Sequence, residues 1–125
     1  MTPAVMTRLG AGLMFLAVGL GAFGAHALKS KLEPEMLAIF ETGVKYQIYH
    51  ALALLLIASL RGPSKAAWCF TAGIALFSGS LYLLALTGVK KWGAVTPIGG
   101  VLFLAGWLIL LFSRSSGSVL DRLNI

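Results

Sequence analysis

The chain has 125 residues, of which 58% are apolar and 11% are charged, and its formal net charge at pH 7 is +6. A soluble domain of this size has too little interior to bury so much apolar surface, so the composition excludes a soluble globular protein. The basic residues lie at the joints between apolar stretches and form no face that tracks phosphates, so we expect no nucleic-acid partner. The single cysteine, Cys69, excludes an internal disulfide and a multi-cysteine metal site.

Four long stretches carry no charged residue, and they cover residues 9–28, 46–60, 66–89 and 92–113. The hydrocarbon core of a bilayer is about 30 Å thick and is crossed by about 20 helical residues. Because the stretches do not alternate apolar and polar residues, they predict helices and not the strands of a barrel. We therefore predict an all-α membrane protein in the lipid bilayer, with four transmembrane helices in one up-down-up-down bundle.

The helix bounds follow from the charged joints and the turn residues. We place the four helices at about 5–27, 43–60, 65–88 and 96–113, with a polar tail over 114–125. Pro34 suits a first helical turn, and apolar residues recur at helical spacing from there to Gly43. That pattern predicts a short amphipathic segment over 34–43, which lies at the membrane interface and bends near Gly43 into helix two. Thr96 followed by Pro97 predicts an N-cap and a first-turn proline for helix four.

The orientation in the membrane is not decided by the basic residues. Five Lys or Arg residues lie on the side of the termini, and five lie on the opposite side. The positive-inside rule therefore favours neither side. Three glutamates cluster on the side opposite the termini, although acidic residues contribute little to the rule. On this balance we expect cytoplasmic termini.

Two stripes of small residues are candidates for helix packing, since helices in lipid associate where small side chains let the backbones approach. On helix one the stripe consists of Ala17, Gly21 and Ala25, which recur every fourth residue. On helix three the stripe consists of Ala67, Thr71, Ala75 and Gly79. We predict that both stripes lie at helix–helix contacts.

His50 is the one ionisable residue well inside an apolar stretch. By the helical rise it lies about 16 Å from Arg61, near the middle of the membrane and beside residues 19–21 of helix one. Tyr46 comes one turn earlier, with Gln47 beside it. This cluster could bind a quinone carbonyl, a lipid headgroup or a small solute, or it could be an internal network that joins helices.

The other polar side chains of the apolar stretches complete the candidate polar site. His26 suggests a two-histidine metal or haem site with His50, but the two differ by about 10 Å along the membrane normal, so we expect no metal and no cofactor. Ser78, Ser80 and Tyr82 interrupt helix three, where hydrogen bonding to their own helix is the alternative role. The sequence has no nucleophile–base pair, phosphate loop or metal-ligand spacing, so we expect no enzyme activity.

Several short motifs follow one another along the chain: GAFGAH at 21–26, TGVKYQIYH at 42–50, FSGSLY at 77–82, VTPIGG at 95–100 and FLAGW at 103–107. Together they resemble the YgdD family of small bacterial inner-membrane proteins of unknown function. The resemblance covers residues 9–111. It implies a four-helix protein of the bacterial inner membrane without an assigned substrate, and it supplies no catalytic residue.

Three functions are consistent with these residues. The first is a non-enzymatic membrane protein that packs against a partner or another copy of itself, which the small-residue stripes favour. The second is a small transporter or channel, in which proton coupling would fall to His50 because helix one carries no carboxylate. The third is a lipid- or quinone-binding accessory to a membrane enzyme, with Tyr46, Gln47 and His50 as the polar end of its site.

Overall fold

The computed structural model describes residues 1–113, which form four helices joined by short turns. The helices are α1 (Pro3–Leu28), α2 (Pro34–Leu60), α3 (Ser64–Thr87) and α4 (Lys90–Phe112). Each is long and apolar enough to cross a membrane, which confirms the predicted all-α fold with four transmembrane helices. The polar tail predicted over 114–125 lies outside the described residues.

Three of the helices contain a turn that is not α-helical. α1 ends in a π-helical turn over Gly24–Leu28, and a second π-helical turn over Ile74–Ser78 interrupts α3. α4 opens with a 3₁₀ turn over Lys90–Ala94. Because a π turn contains more residues than an α turn, it changes the direction of the side chains after it, and a regular 3.6-residue period does not carry across it.

α2 is one uninterrupted α-helix, so the segment predicted over 34–43 continues directly into helix two. Within this segment, Phe40 is completely buried and contacts Gly24 of α1. Gly43, where a bend was predicted, lies inside this helix and permits a close approach, because a Cβ there would lie 2.8 Å from Cε1 of Tyr82 on α3.

The helices are packed in the order of the chain. α1 packs along α2, α2 along α3, and α3 along α4. Within residues 1–113, α1 and α4 do not pack along one another, so α2 is the most buried helix and the outer faces of α1 and α4 are open. The N-terminal ammonium of Met1 donates a hydrogen bond to Oγ of Ser64 at 2.6 Å. The N-terminus therefore lies beside the turn between α2 and α3, as alternating helix directions require.

The contact face of α1 repeats every seven residues. Gly10, Ala17 and Gly24 are buried, and Gly21 is half-buried, whereas Ala25 is exposed. The stripe predicted on this helix is therefore corrected at Ala25. At 3.6 residues per turn, a step of seven returns to within about 20° of the starting direction, whereas the eight residues from Ala17 to Ala25 overshoot it by about 80°.

The predicted stripe on α3 ends after its first two residues. Ala67 is fully buried and Thr71 half-buried, but Ala75 is exposed and a Cβ on Gly79 would meet nothing within 4 Å. The stripe is corrected at these last two positions, because the π turn changes the direction of the residues within and after it. α3 and α4 instead meet at three glycines, each against a phenylalanine of the other helix: Gly73, Gly99 and Gly106.

Candidate functional site

The polar side chains of α2 and α3 lie in the middle of the bundle. Four of them are buried, namely Gln47, His50, Ser78 and Ser80. A buried polar group without a hydrogen-bond partner is destabilising, and more so where water is absent. Within residues 1–113, every buried side-chain nitrogen and oxygen has a partner. The cluster is therefore a network, and its bonds decide what chemistry it can perform.

His50 is hydrogen-bonded at both ring nitrogens. Nδ1 lies 2.8 Å from the backbone oxygen of Tyr46, and Nε1 of Trp107 on α4 lies 3.0 Å from Nε2. A carbonyl oxygen only accepts and an indole N–H only donates, so Nδ1 carries the proton and Nε2 accepts from Trp107. This arrangement needs the neutral imidazole, because a proton on Nε2 would break the bond to α4.

Aromatic rings from three helices enclose the imidazole. Phe103 of α4 stacks on it with a centroid distance of 3.6 Å and an interplanar angle of 6°. Phe70 of α3 approaches edge-on at 5.2 Å, and Tyr46 of α2 lies parallel at 6.2 Å. The rings hold His50 in one orientation.

Gln47 joins three helices with one amide group. Nε2 donates to the backbone oxygen of Leu13 on α1 at 2.8 Å, and the hydroxyl of Tyr82 on α3 donates to Oε1 at 2.6 Å. The NH₂ group faces a carbonyl and the amide oxygen faces a phenol, so both ends of the amide have the partner type they need. Gln47 therefore cross-links α1, α2 and α3 in the interior of the bundle.

The two serines of α3 link their helix to both neighbours. Oγ of Ser78 donates to the backbone oxygen of Gly43 on α2 at 2.6 Å. Oγ of Ser80 lies 2.5 Å from Oγ1 of Thr96 on α4. Thr96 is already helical and does not cap α4, which corrects its predicted N-cap role. The hydroxyl of Thr96 is bonded to Ser80. The N–H of Ile98, in the first turn after Thr96, donates to the backbone oxygen of Val95.

Two residues of the predicted polar site lie outside the buried network. Tyr46 is 38% exposed, and its ring lies at the outer edge of the cluster, 4.6 Å from Phe77. His26 is exposed in the π turn at the end of α1. The structure therefore does not bring His26 and His50 together.

The depth predicted for His50 relative to α1 is wrong. Residues 19–21 were expected beside it, but Gly19 is exposed and a Cβ on it would meet nothing within 4 Å. A Cβ on Gly10 would lie 2.9 Å from the backbone oxygen of Ala51, so Gly10 is level with the residue after His50. The prediction aligned Arg8 with Arg61, whereas the structure sets the N-terminus itself beside the turn after α2.

A groove on the membrane-facing side adjoins the network. It has a volume of about 440 Å³ and is lined mainly by aromatic and small side chains of α2, α3 and α4, including Tyr46, Phe77, Gly100, Phe103 and Trp107. The ring of His50 also reaches its wall. The groove suits an apolar ligand, since the nearby hydrogen-bonding groups of His50 and Trp107 are already bonded to each other.

The network joins all four helices through hydrogen bonds of its side chains. In the part of the chain that the structure describes, no three His, Cys, Asp or Glu side chains are grouped to hold a metal ion. Sequence reasoning missed Trp107, which it treated only as part of a motif. An indole N–H near mid-helix needs an acceptor, and that requirement was the available signal, because His50 was the one imidazole at a similar depth.

Comparison with known proteins gives consistent matches over most of the chain. The family model described as "Protein of unknown function (DUF423)" matches residues 20–100. A UPF0382 membrane protein of Staphylococcus epidermidis is 50% identical over 114 residues, covering 87% of this chain and 93% of the relative. The UPF0382 membrane protein YwdK of Bacillus subtilis is 46% identical over 114 residues, covering 86% of this chain and 93% of the relative. No solved structure matches the chain significantly.

These matches correct the family predicted from the motifs. The family model is the DUF423 model, and the relatives from Staphylococcus and Bacillus carry the UPF0382 name. The assignment to the YgdD family was therefore wrong. The expectation of a membrane protein without an assigned function agrees with the names of the family and of these relatives.

Proposed function

The chain belongs to the DUF423/UPF0382 family of membrane proteins, and from that premise we propose that it is a non-enzymatic protein that works by packing against a second copy of itself. One observation carries the proposal: the outer face of α1 contains glycines that no contact within residues 1–113 explains. A Cβ on Gly12 or Gly19 would meet nothing within 4 Å. Glycine inside a helix is less favourable than alanine by about 1 kcal/mol, so an exposed pair needs another reason.

The buried glycines of the same chain show what such a reason looks like. At Gly10, Gly73, Gly99 and Gly106 an added Cβ would overlap an atom of a neighbouring helix. In each case the glycine allows two helices to approach closely. Gly12 and Gly19 are seven residues apart and therefore share one face of α1. Gly10 and Ala17 are also seven residues apart, and they are buried on the opposite face, which contacts α2. The outer face of α1 therefore has the pattern of a helix contact.

The outer faces of α1 and α4 are both open and both carry bulky apolar side chains, but within residues 1–113 only that of α1 also carries the exposed glycines Gly12 and Gly19. The exposed residues of α4 are bulky, such as Leu104, Leu108 and Leu111, and bulky aliphatic side chains suit contact with lipid tails. On α1, Phe15 is 79% exposed beside a groove of about 420 Å³, whose wall includes Gly19. A projecting ring next to a groove on one face is self-complementary, which a two-fold dimer requires.

The interior of the bundle supports the non-enzymatic part of the proposal. Both ring nitrogens of His50 are bonded, and the amide of Gln47 is bonded at both ends. A proton-coupled transporter needs a group that can take up and release a proton without dismantling the fold. The bond from Trp107 occupies the nitrogen of His50 that would have to accept that proton, so the geometry gives transport no support.

We also place the protein in the bacterial inner, or cytoplasmic, membrane with both termini in the cytoplasm. Support for the compartment comes from its relatives, which are named membrane proteins of Staphylococcus and Bacillus. For the orientation, the basic residues favour neither side, and the cluster of three glutamates on the side opposite the termini is the supporting observation.

Disulfide crosslinking in native membranes tests the α1 contact. With Cys69→Ala as background, Phe15→Cys is expected to give a crosslinked dimer, whereas Leu104→Cys on the outer face of α4 is not. Adding Gly12→Leu or Gly19→Leu is expected to lower the dimer fraction at least about tenfold, because the larger side chain holds the helices apart.

The matched control for these glycines is Gly79→Leu, since a Cβ on Gly79 also meets nothing within 4 Å but lies on α3. It is expected to leave the dimer fraction unchanged. A chain that stays monomeric with Phe15→Cys would contradict the proposal. So would a crosslink from Phe15→Cys to a different membrane protein in place of the dimer, which would make the occupant of the α1 face a partner.

A second candidate function is the binding of an isoprenoid quinone by an accessory subunit, and the 440 Å³ groove beside Tyr46 is the observation that favours it. A quinone ring would stack on the aromatic wall, with its tail along the groove. A Cβ on Gly100 would lie 3.8 Å from the ring of Phe77, so Gly100→Leu fills the groove without overlapping the backbone.

Gently released protein is expected to retain quinone in native mass spectrometry if this second function applies, and Gly100→Leu is expected to lower the retained fraction about tenfold. The control is Gly79→Leu, which lies outside the groove. Wild-type protein that retains no quinone, or a Gly100→Leu variant that retains as much as the wild type, would remove this candidate.

A further inference from the structure

An acid and a base on α2 lie deeper in the membrane than the charged joints of the neighbouring helices. A Cβ on Gly21 of α1 would lie 3.5 Å from Cγ1 of Val44, so Lys45 on α2 is level with Gly21. The next charged residue of α1 is Lys29, eight residues later, or about 12 Å by the helical rise. Glu41 lies one turn from Lys45, towards that boundary.

α3 gives supporting evidence for this depth. Gly43 of α2 faces the ring of Tyr82 on α3, and α3 continues five residues further to Thr87, about 7.5 Å, before the turn that leads to Lys90. Both Glu41 and Lys45 are exposed on the outer surface of the bundle. Ionisable groups below the membrane surface are unfavourable without a partner, so their position indicates a role.

The two charged side chains border a groove between α1 and α2. The groove has a volume of about 160 Å³ and is lined by Gly21, Gly24, Phe40, Glu41, Val44 and Lys45. The two glycines form the wall on α1 and leave the groove open, while Phe40 and Val44 make its floor apolar. The site thus combines an apolar floor with one carboxylate and one ammonium at its edge.

We propose that this groove binds the headgroup of a zwitterionic phospholipid, with the lipid ammonium at Glu41 and the lipid phosphate at Lys45. A zwitterion neutralises both charges, whereas an anionic lipid can offer its phosphate to Lys45 but has no ammonium for the carboxylate of Glu41. Charged groups below the surface draw headgroups inwards, which matches the depth of the pair. The site lies away from the outer glycines of α1 and does not depend on the proposed dimer.

The test compares two lipids on the purified protein by native mass spectrometry: phosphatidylethanolamine, which is zwitterionic, and phosphatidylglycerol, which is anionic. The wild type is expected to retain phosphatidylethanolamine about tenfold more strongly than phosphatidylglycerol, which is the effect of one charge-assisted hydrogen bond. Glu41→Gln is expected to abolish this preference, and Lys45→Gln is expected to weaken the binding of both lipids. Gly21→Leu keeps both charges but fills the groove, so this variant is expected to bind neither lipid.

Glu35→Gln and Lys31→Gln are the matched controls, because both residues are exposed on the same side of the membrane but outside the groove. They are expected to retain the wild-type preference. Equal retention of the two lipids by the wild type would overturn the proposal. It would also be overturned if Glu41→Gln lowered the stability but kept the lipid preference, because Glu41 and Lys45 would then form only an internal ion pair.

Discussion

Gly99→Ala is expected to separate α3 from α4 and to destabilise the protein by about 3 kcal/mol, the upper end of the usual effect of overpacking. A Cβ at Gly99 would overlap the backbone nitrogen of Phe77 and lie 2.8 Å from its Cα. A side chain in the way can rotate, but a helix backbone cannot, so the two helices must move apart. That movement would also strain the hydrogen bond between Ser80 and Thr96 one turn away.

Gly100→Ala is the control for this prediction, since it makes the same substitution one position further along α4. Its Cβ would lie 3.8 Å from the ring of Phe77, an ordinary contact. Because alanine is a better helix former than glycine by about 1 kcal/mol, Gly100→Ala is expected to leave the stability unchanged or slightly raise it.

Unfolding in mixed detergent micelles, followed by helical circular dichroism, measures both variants. Equal stability of Gly99→Ala and Gly100→Ala would show that α3 and α4 do not approach closely at Gly99. That result would contradict the packing of these two helices in the structure.

His50→Ala is the second variant with a large expected effect, a destabilisation of about 3 kcal/mol. It removes the ring that stacks on Phe103 at 3.6 Å and leaves a cavity among aromatic side chains. It also leaves the Nε1–H of Trp107 without its acceptor. His50→Phe keeps a ring but removes the acceptor, so the free energy of unfolding is expected to fall by about 1 kcal/mol, the scale of a hydrogen bond between membrane helices.

The control for the His50 variants is Tyr49→Ala, because Tyr49 is the preceding residue of α2 and is 54% exposed. It is expected to change the stability by no more than about 0.5 kcal/mol. Tryptophan fluorescence during unfolding reports directly on the partner, Trp107. If His50→Ala were as stable as the wild type but lost a bound molecule, His50 would be a binding residue and the structural role would be wrong.

The fold class could be predicted because it depends on composition over long stretches. Runs of about 20 uncharged apolar residues need a bilayer, and the backbone in a bilayer must be helical. The amphipathic pattern of 34–43 did not show whether this segment is separate from helix two. Only the tertiary structure shows that the two form one continuous helix, with Phe40 packed against α1.

The residues of the polar network could also be predicted, but their partners could not. Gln47, His50, Ser78, Ser80 and Tyr82 stand out because polar side chains are rare in apolar stretches. Their hydrogen bonds depend on the relative depth of helices whose connecting turns do not specify it. An alignment based on Arg8 and Arg61 displaced α1 by several residues, so the predicted neighbours of His50 were wrong.

What the sequence by itself determined is a membrane protein with four helices and a polar cluster on the second and third. The tertiary structure decided which faces those helices present, and with them the packing glycines, the partners of His50 and the depth of Glu41 and Lys45. The physical reason is that lipid satisfies any apolar surface equally well, so hydrophobicity specifies the spans but not their rotation or offset. Those depend on close contacts such as Gly99 against Phe77, which appear only once two helices are placed together.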